Sequence, residues 1–198
     1  MKRNAPTILA LVLLTATATA FAVTQRLKLE PSPISQTHVA KVFSPVCECE
    51  TDAAQIEFSL RRADHLRIAI RLDGRELTIA NGEFGKGVVR ARWNGRDAAG
   101  AVVPDGIYYP VVHMLRAQRT IDLPNPIRLD TQPPSIAVTG LRSNGPKLTV
   151  SYKASEPAHA ILIVDGRVDG RPVRPRHHRL VLLAEDLAGN RSAPTPIR

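Results

Sequence analysis

The chain holds two cysteines in 198 residues, which excludes a fold built on a disulfide framework. Aromatic residues make up 4%, with a single tryptophan. That is too few to interleave with basic residues as a nucleic-acid stacking surface requires. Acidic residues number 18 against 27 basic ones, a net charge of +9, so an acidic disordered chain is excluded. Only one long apolar run exists, at the N-terminus, so a polytopic membrane protein is excluded too. Beyond it no stretch sustains a 3.6-residue apolar stripe, and helix bundles are thereby disfavoured. There is no Gly-x-Ser-x-Gly, no His-Glu-x-x-His and no phosphate-binding loop. The sequence yields no catalytic residue, no cofactor-binding residue and no metal site, and the expectation is a non-enzyme.

The N-terminal run, Ala5 to Val23, carries no charge. Lys2 and Arg3 precede it, Ile8 to Leu14 is strongly apolar, and Ala20-Phe21-Ala22 offers a small-residue cleavage site. These are the three parts of a secretory signal peptide. The run is also long enough for a single transmembrane anchor, with its basic flank inside and the rest of the chain outside. Export is the expectation either way: a cell-envelope protein, anchored or secreted. No cysteine stands near the cleavage site, so no lipid anchor is expected.

Residues 24–41 are polar, with Pro31 and Pro33, and read as a linker or stalk without a long helix. From Val42 the pattern has period two. Ile56, Phe58 and Leu60 alternate with polar residues, and so do Leu66, Ile68, Ile70 and Leu72, as strands with one buried face do. Turn dipeptides recur at Asp73-Gly74, Asn81-Gly82, Asn94-Gly95, Asp105-Gly106, Asp165-Gly166 and Asp169-Gly170. Prolines 124, 126, 133 and 134 mark an extended connector. Beyond it Ile136, Val138, Leu148, Val150, Ile161, Ile163 and Val181 predict four to six more strands. The fold expected is all-β: two tandem Ig-like β-sandwiches, residues 42–120 and 135–198, joined by a Pro-rich linker over 121–134 and preceded by the apolar helix and stalk.

Two resemblances sharpen this reading. Residues 42–114 contain Trp93-Asn94-Gly95-Arg96-Asp97-Ala98-Ala99-Gly100, then Val103-Pro104-Asp105-Gly106-Ile107-Tyr108. This is similar to the Ig-like domain of the bacterial flagellar hook-capping protein and to related type IX sorting domains. The resemblance implies a spacer or assembly module. Only a stalk precedes the domain and it is not C-terminal, so neither hook assembly nor type IX sorting is expected. The second region opens with Asp130-Thr131-Gln132-Pro133-Pro134 and closes with Asp186-Leu187-Ala188-Gly189-Asn190-Arg191-Ser192. It resembles bacterial Ig-like or fibronectin-type surface modules.

Turn chemistry accounts for these motifs. Trp93 has a large ring to bury and an N–H that wants an acceptor. Asn94, Gly95, Asp97 and Gly100 make two tight turns, and Pro104, Asp105 and Gly106 lead into the next strand. The functional alternative is a carbohydrate platform of Trp93 and Tyr109, with both rings exposed on one face. At the second motif Gly189-Asn190 can reverse the last strands, with Asp186 capping turn amides. Asp186 and Asn190 also offer oxygens to calcium, but too few carboxylates stand there in sequence.

Cys47 and Cys49 lie two apart. A bent backbone would let them form a disulfide in an oxidising compartment; free thiols, an interchain bridge and soft-metal capture are the alternatives. The stretch 171–179 is basic, and Arg171, Arg174, Arg176, His177, His178 and Arg179 form a possible anion-binding loop. The partners expected are envelope proteins or anionic cell-wall polymers, together with the membrane if the N-terminal helix is retained; nucleic acid is not expected. A cell-wall polymer or glycan-binding module is the alternative function, and an envelope enzyme with an unrecognised site is a third.

Overall fold

The computed structural model describes residues 5–29, 31–145, 147–164 and 180–197. The one helix among them, α1 (Ala5–Leu29), runs past the apolar segment into the stretch expected to be polar linker. Gln25 to Leu29 are good helix formers, and the helix stops before Pro31, which cannot continue it. Thr15, Thr17, Thr19 and Thr24 each donate a hydroxyl to a carbonyl one turn back, the usual way a helix accommodates threonine. Among the described residues no helix is long and apolar enough to cross a membrane. That corrects the transmembrane-anchor expectation. The strongly apolar part is confined to Ile8–Leu14, and alternating threonines dilute the next two turns. A signal peptide needs only ~7–15 apolar residues.

The period-two pattern becomes strands β1 (Ile34–Val39), β2 (Val42–Phe43), β3 (Ala54–Leu60), β4 (Asp64–Leu72), β5 (Arg75–Phe84), β6 (Gly87–Trp93), β7 (Gly106–Met114), β8 (Arg119–Asp122) and β9 (Ile127–Leu129). One sheet has the order β1-β3-β6 and the other β2-β9-β7-β4-β5, with β8 also on β7. Ile56 and Phe58 from the first sheet meet Leu66, Ile68, Ile70 and Val112 from the second in one closed core. Burying such side chains stabilises the fold by roughly 1.5–3 kcal/mol each. Two sheets, antiparallel except for the parallel β2–β9 pair, over a shared core are the layering of Ig-like and fibronectin-like sandwiches in the general sense.

Three local expectations change. The stretch read as linker contributes β1, which pairs with β3 through Ile34↔Leu60 and Val39↔Ile56. The Pro-rich connector contributes β9, which lies between β2 and β7. Its short apolar pair, Ile127 and Leu129, is enough to fill the core edge. Asn81-Gly82 is not a turn: both residues lie within β5, opposite Arg67 and Leu66, and the chain reverses later, at Gly85-Lys86. Asp73-Gly74, by contrast, closes the β4–β5 hairpin with φ +47° and +77°, as a two-residue turn of the right hand requires.

Beyond Asp130 come β10 (Ile136–Asn144), β11 (Lys147–Ala154), β12 (Ala158–Val164), β13 (Leu180–Asp186) and β14 (Thr195–Pro196). β10 and β11 form a hairpin, and β12, β13 and β14 a small sheet. Leu180, Leu182, Leu183 and Ala184 of β13 are buried, and the Thr195 hydroxyl donates to the Ile136 carbonyl at 3.3 Å. The inward residues of the hairpin, Ile136, Val138, Leu148 and Val150, are half-buried.

Candidate functional site

Among the described residues polar side chains converge at the turn between β6 and β7, at the junction where β9 leads toward β10, and on the outer face of the larger sheet.

In the turn, the Asn94 Oδ1 accepts the Arg96 N–H at 3.2 Å, and one Asp97 oxygen accepts the N–H groups of Ala99 and Ala101 at 2.9 Å. Gly95 and Gly100 take φ +68° and +82°. Gly95 is fixed by space as well, since a Cβ there would lie 2.9 Å from Leu129 Cδ1. Trp93 is only 2% exposed and packs edge-on against Phe43 and Tyr108, at 5.2 and 4.8 Å between centroids. Among the described residues its N–H finds no acceptor, so shape rather than a hydrogen bond holds it. Pro104 lends its carbonyl to the Tyr108 hydroxyl, which donates to it at 2.6 Å. Burial and the charges of Asp105 and Asp73 push the Tyr108 phenol up from 10.0. Tyr109 is exposed on the other side of β7 while Trp93 is in the core. The carbohydrate platform of Trp93 and Tyr109 is thereby corrected: Trp93 points from β6 into the core, while alternation along β7 turns Tyr108 inward and Tyr109 out.

Asp105, immediately before Gly106 and β7, turns toward the junction. One of its oxygens accepts both the N–H and the hydroxyl of Thr131, at 3.0 and 2.9 Å. Beside it Asp130 accepts the Gln132 N–H at 3.1 Å and an Arg128 guanidinium N–H at 2.6 Å. The Asp186 carboxylate accepts the N–H groups of Ala188 and Asn190 at 2.8 and 2.9 Å. Asn190, 3% exposed, donates its amide to the Asp130 carbonyl and to Asp186, both at 2.9 Å. Gly189, at φ +91°, makes the reversal; Asn190 acts through its side chain instead.

A second clamp lies alongside. Cys47 and Cys49 are joined by a disulfide, with 5.2 Å between their Cα atoms. Glu48, at φ +51°, supplies the bend between them. The disulfide packs on Gly189, where an added Cβ would lie 2.3 Å from Cys49 Sγ and 2.7 Å from Thr51 Oγ1. The Thr51 hydroxyl donates to the Ala188 carbonyl at 2.7 Å.

Asp130, Glu156 and Asp186 each bring a carboxylate oxygen within 4.8 Å of the others. Oxygen ligands in such a group suit a hard cation such as Ca²⁺. In sequence these residues are far apart, so a count around Asp186 alone missed Asp130 and Glu156. Thr51 was missed for the same reason: its partner is 137 residues away and a threonine carries no local signal of such a bond. The junction's two ends, the Asp-Thr-Gln-Pro-Pro and Asp-x-Ala-Gly-Asn segments, were legible as motifs; their mutual contact was not.

Histidines meet carboxylates on the outer face of the larger sheet. His65 Nδ1 lies 3.1 Å from Glu83 and its Nε2 3.0 Å from Asn81. The Glu83 and Asn81 contacts hold its pKa above 6.5. His113 sits between Glu76, at 2.8 Å, and Thr120, at 3.1 Å. Both are arrayed on an open β surface and brace neighbouring strands. The basic loop of Arg171, Arg174, Arg176, His177, His178 and Arg179 lies outside the described residues.

No protein-family model matches the chain, and no curated protein matches it. Among solved structures the chain is similar to the Clostridium thermocellum CbhA fibronectin(III)-like modules. That likeness has 16% identity and a TM-score of 0.41, over 81% of this chain and 91% of that one. A likeness this distant carries no weight in the functional reading.

Proposed function

We propose that the chain is a non-enzymatic, exported bacterial envelope protein whose tandem Ig-like sandwiches act as a spacer or protein-interaction module. The first would be of the hook-capping type and the second a fibronectin-type surface module. One observation carries the reading: the buried polar groups at the junction are used to lock one set of strands to the other. Asn190 donates to the Asp130 carbonyl and Thr51 to the Ala188 carbonyl. A chain that ties its parts together by buried and half-buried hydrogen bonds is suited to holding a distance or presenting an edge. The basic-flanked apolar N-terminus supports export, and a Cys47–Cys49 disulfide fits an oxidising compartment.

The test is fractionation of cells expressing the full chain, with intact-mass measurement of the protein recovered. The reading expects envelope or medium localisation, loss of the first 22 residues, and a mass two hydrogens below that of the reduced form. A full-length, reduced chain in the cytosolic fraction would overturn it. An anionic-polymer-binding role is the second reading, favoured by an arginine-lined cleft between the β3–β4 and β7–β8 turns.

A further inference from the structure

The end of the first sandwich at which the chain arrives from α1 is strongly basic. The β3–β4 turn carries Arg61 and Arg62, the β7–β8 turn carries Arg116, and Arg119 opens β8; all four are exposed. They line a cleft of about 470 Å³ whose floor includes Met114 and Pro33. The two turns are pinned side by side. Asp64, 4% exposed, accepts the backbone N–H groups of Arg116 at 2.9 Å and Ala117 at 3.1 Å. The Arg61 N–H donates to the Pro33 carbonyl at 2.9 Å.

Two carboxylates face these guanidinium groups. Asp64 is engaged by the turn amides. Glu83 is shared between Arg116, at 2.7 Å, and His65, at 3.1 Å. Among the described residues no carboxylate pairs with Arg61, Arg62 or Arg119. Among the described residues the cleft therefore carries an excess of positive charge around a partly apolar floor.

We propose that this cleft binds a phosphate ester. Guanidinium groups present paired N–H donors that match phosphate oxygens two at a time. Several of them around one concavity favour a multiply accepting anion over a lone carboxylate. Pro31 and Pro33 give the neutral body of the ester something to lie on. The site is independent of the spacer reading and of export, because it rests only on the two turns of the first sandwich. It differs from the basic loop at 171–179, which shares no residue with it.

The test uses the full chain, with sn-glycerol 3-phosphate followed by amide chemical shifts, and sedimentation with vesicles of phosphatidylcholine alone or mixed with phosphatidylglycerol. Shifts at residues 61–64 and 115–119, binding to the mixed vesicles over the neutral ones, or both, are expected. A response to the free ester assigns a soluble source; a response only to the vesicles assigns a lipid headgroup. Replacing Arg61, Arg62 and Arg119 together by Gln is expected to weaken binding by about tenfold or more. Replacing Arg142, Lys147 and Lys153 by Gln, an equal loss of charge elsewhere, should leave it within about twofold, since screened charges far from the cleft contribute little. All three substituted positions in the cleft are exposed, so the fold should persist, and a melting curve checks it. No response to either probe, or an equal loss in both triple variants, would overturn the proposal.

Discussion

Gly95 is the residue at which backbone and packing demand the same thing. It takes φ +68°, and a Cβ would press on Leu129, Pro45 and Phe43. Gly95→Ala should therefore cost more than the ~1–2 kcal/mol of a left-handed alanine alone, read as a drop in denaturant midpoint. Gly100, also left-handed but with open space around it, should lose only that smaller amount. Trp93 makes the complementary case. Its N–H has no acceptor among the described residues, so its worth lies in its volume, and Trp93→Ala should cost about 3–5 kcal/mol. His65 adds a pH dependence. Glu83 and Asn81 raise its pKa from 6.5, so the folded state favours the proton. The stabilising contribution is complete below the unfolded value and fades as pH rises through the raised one. An NMR titration should place the His65 midpoint above that of a free histidine, and Glu83→Gln should bring it back down. An unchanged midpoint in that variant would contradict the pairing.

Elements were legible where side-chain alternation was strict and obscure where pairing partners were distant. β3 and β4 follow from Ile56, Phe58, Leu66, Ile68 and Ile70 alone, because one buried face fixes a period of two. The Asp97 turn was readable from its own residues, since its hydrogen bonds span at most four positions. β1 and β9 were not. Ile34 and Val39 enclose polar residues, and Ile127 and Leu129 stand among prolines; both strands exist because β3 and β7 offer them an edge. Asn81-Gly82 misled in the opposite direction: a strong local turn signal yielded to pairing with β4. The Gly189 turn illustrates the same dependence on distant contact. Its φ of +91° already disfavours a side chain, and the Cys47–Cys49 disulfide and Thr51, far away in sequence, also fill the space a Cβ would need. Gly189→Ala should accordingly loosen the junction, and amide exchange at residues 186–192 should accelerate while β3 and β4 keep their protection. Loss of protection throughout would show that the turn is part of one cooperative core instead.

For the molecule as a whole, the junction decides whether the chain is a flexible string or a fixed spacer. Asp130, Asp186 and Asn190 belong to turns that look self-contained in sequence, yet in the structure Asn190 ties the other two together, while Asp105 holds Thr131. Asn190→Ala leaves the Asp130 carbonyl without its buried donor, at a cost of about 1–3 kcal/mol. On the spacer reading proposed above, these bonds keep the two sets of strands at one separation. The direct measurement is a pulsed-EPR distance between spin labels placed at Gln55 and Lys153, both exposed. A single narrow distance in the parent chain, broadened in Asn190→Ala, is the predicted result; a broad distribution already present in the parent chain would contradict it.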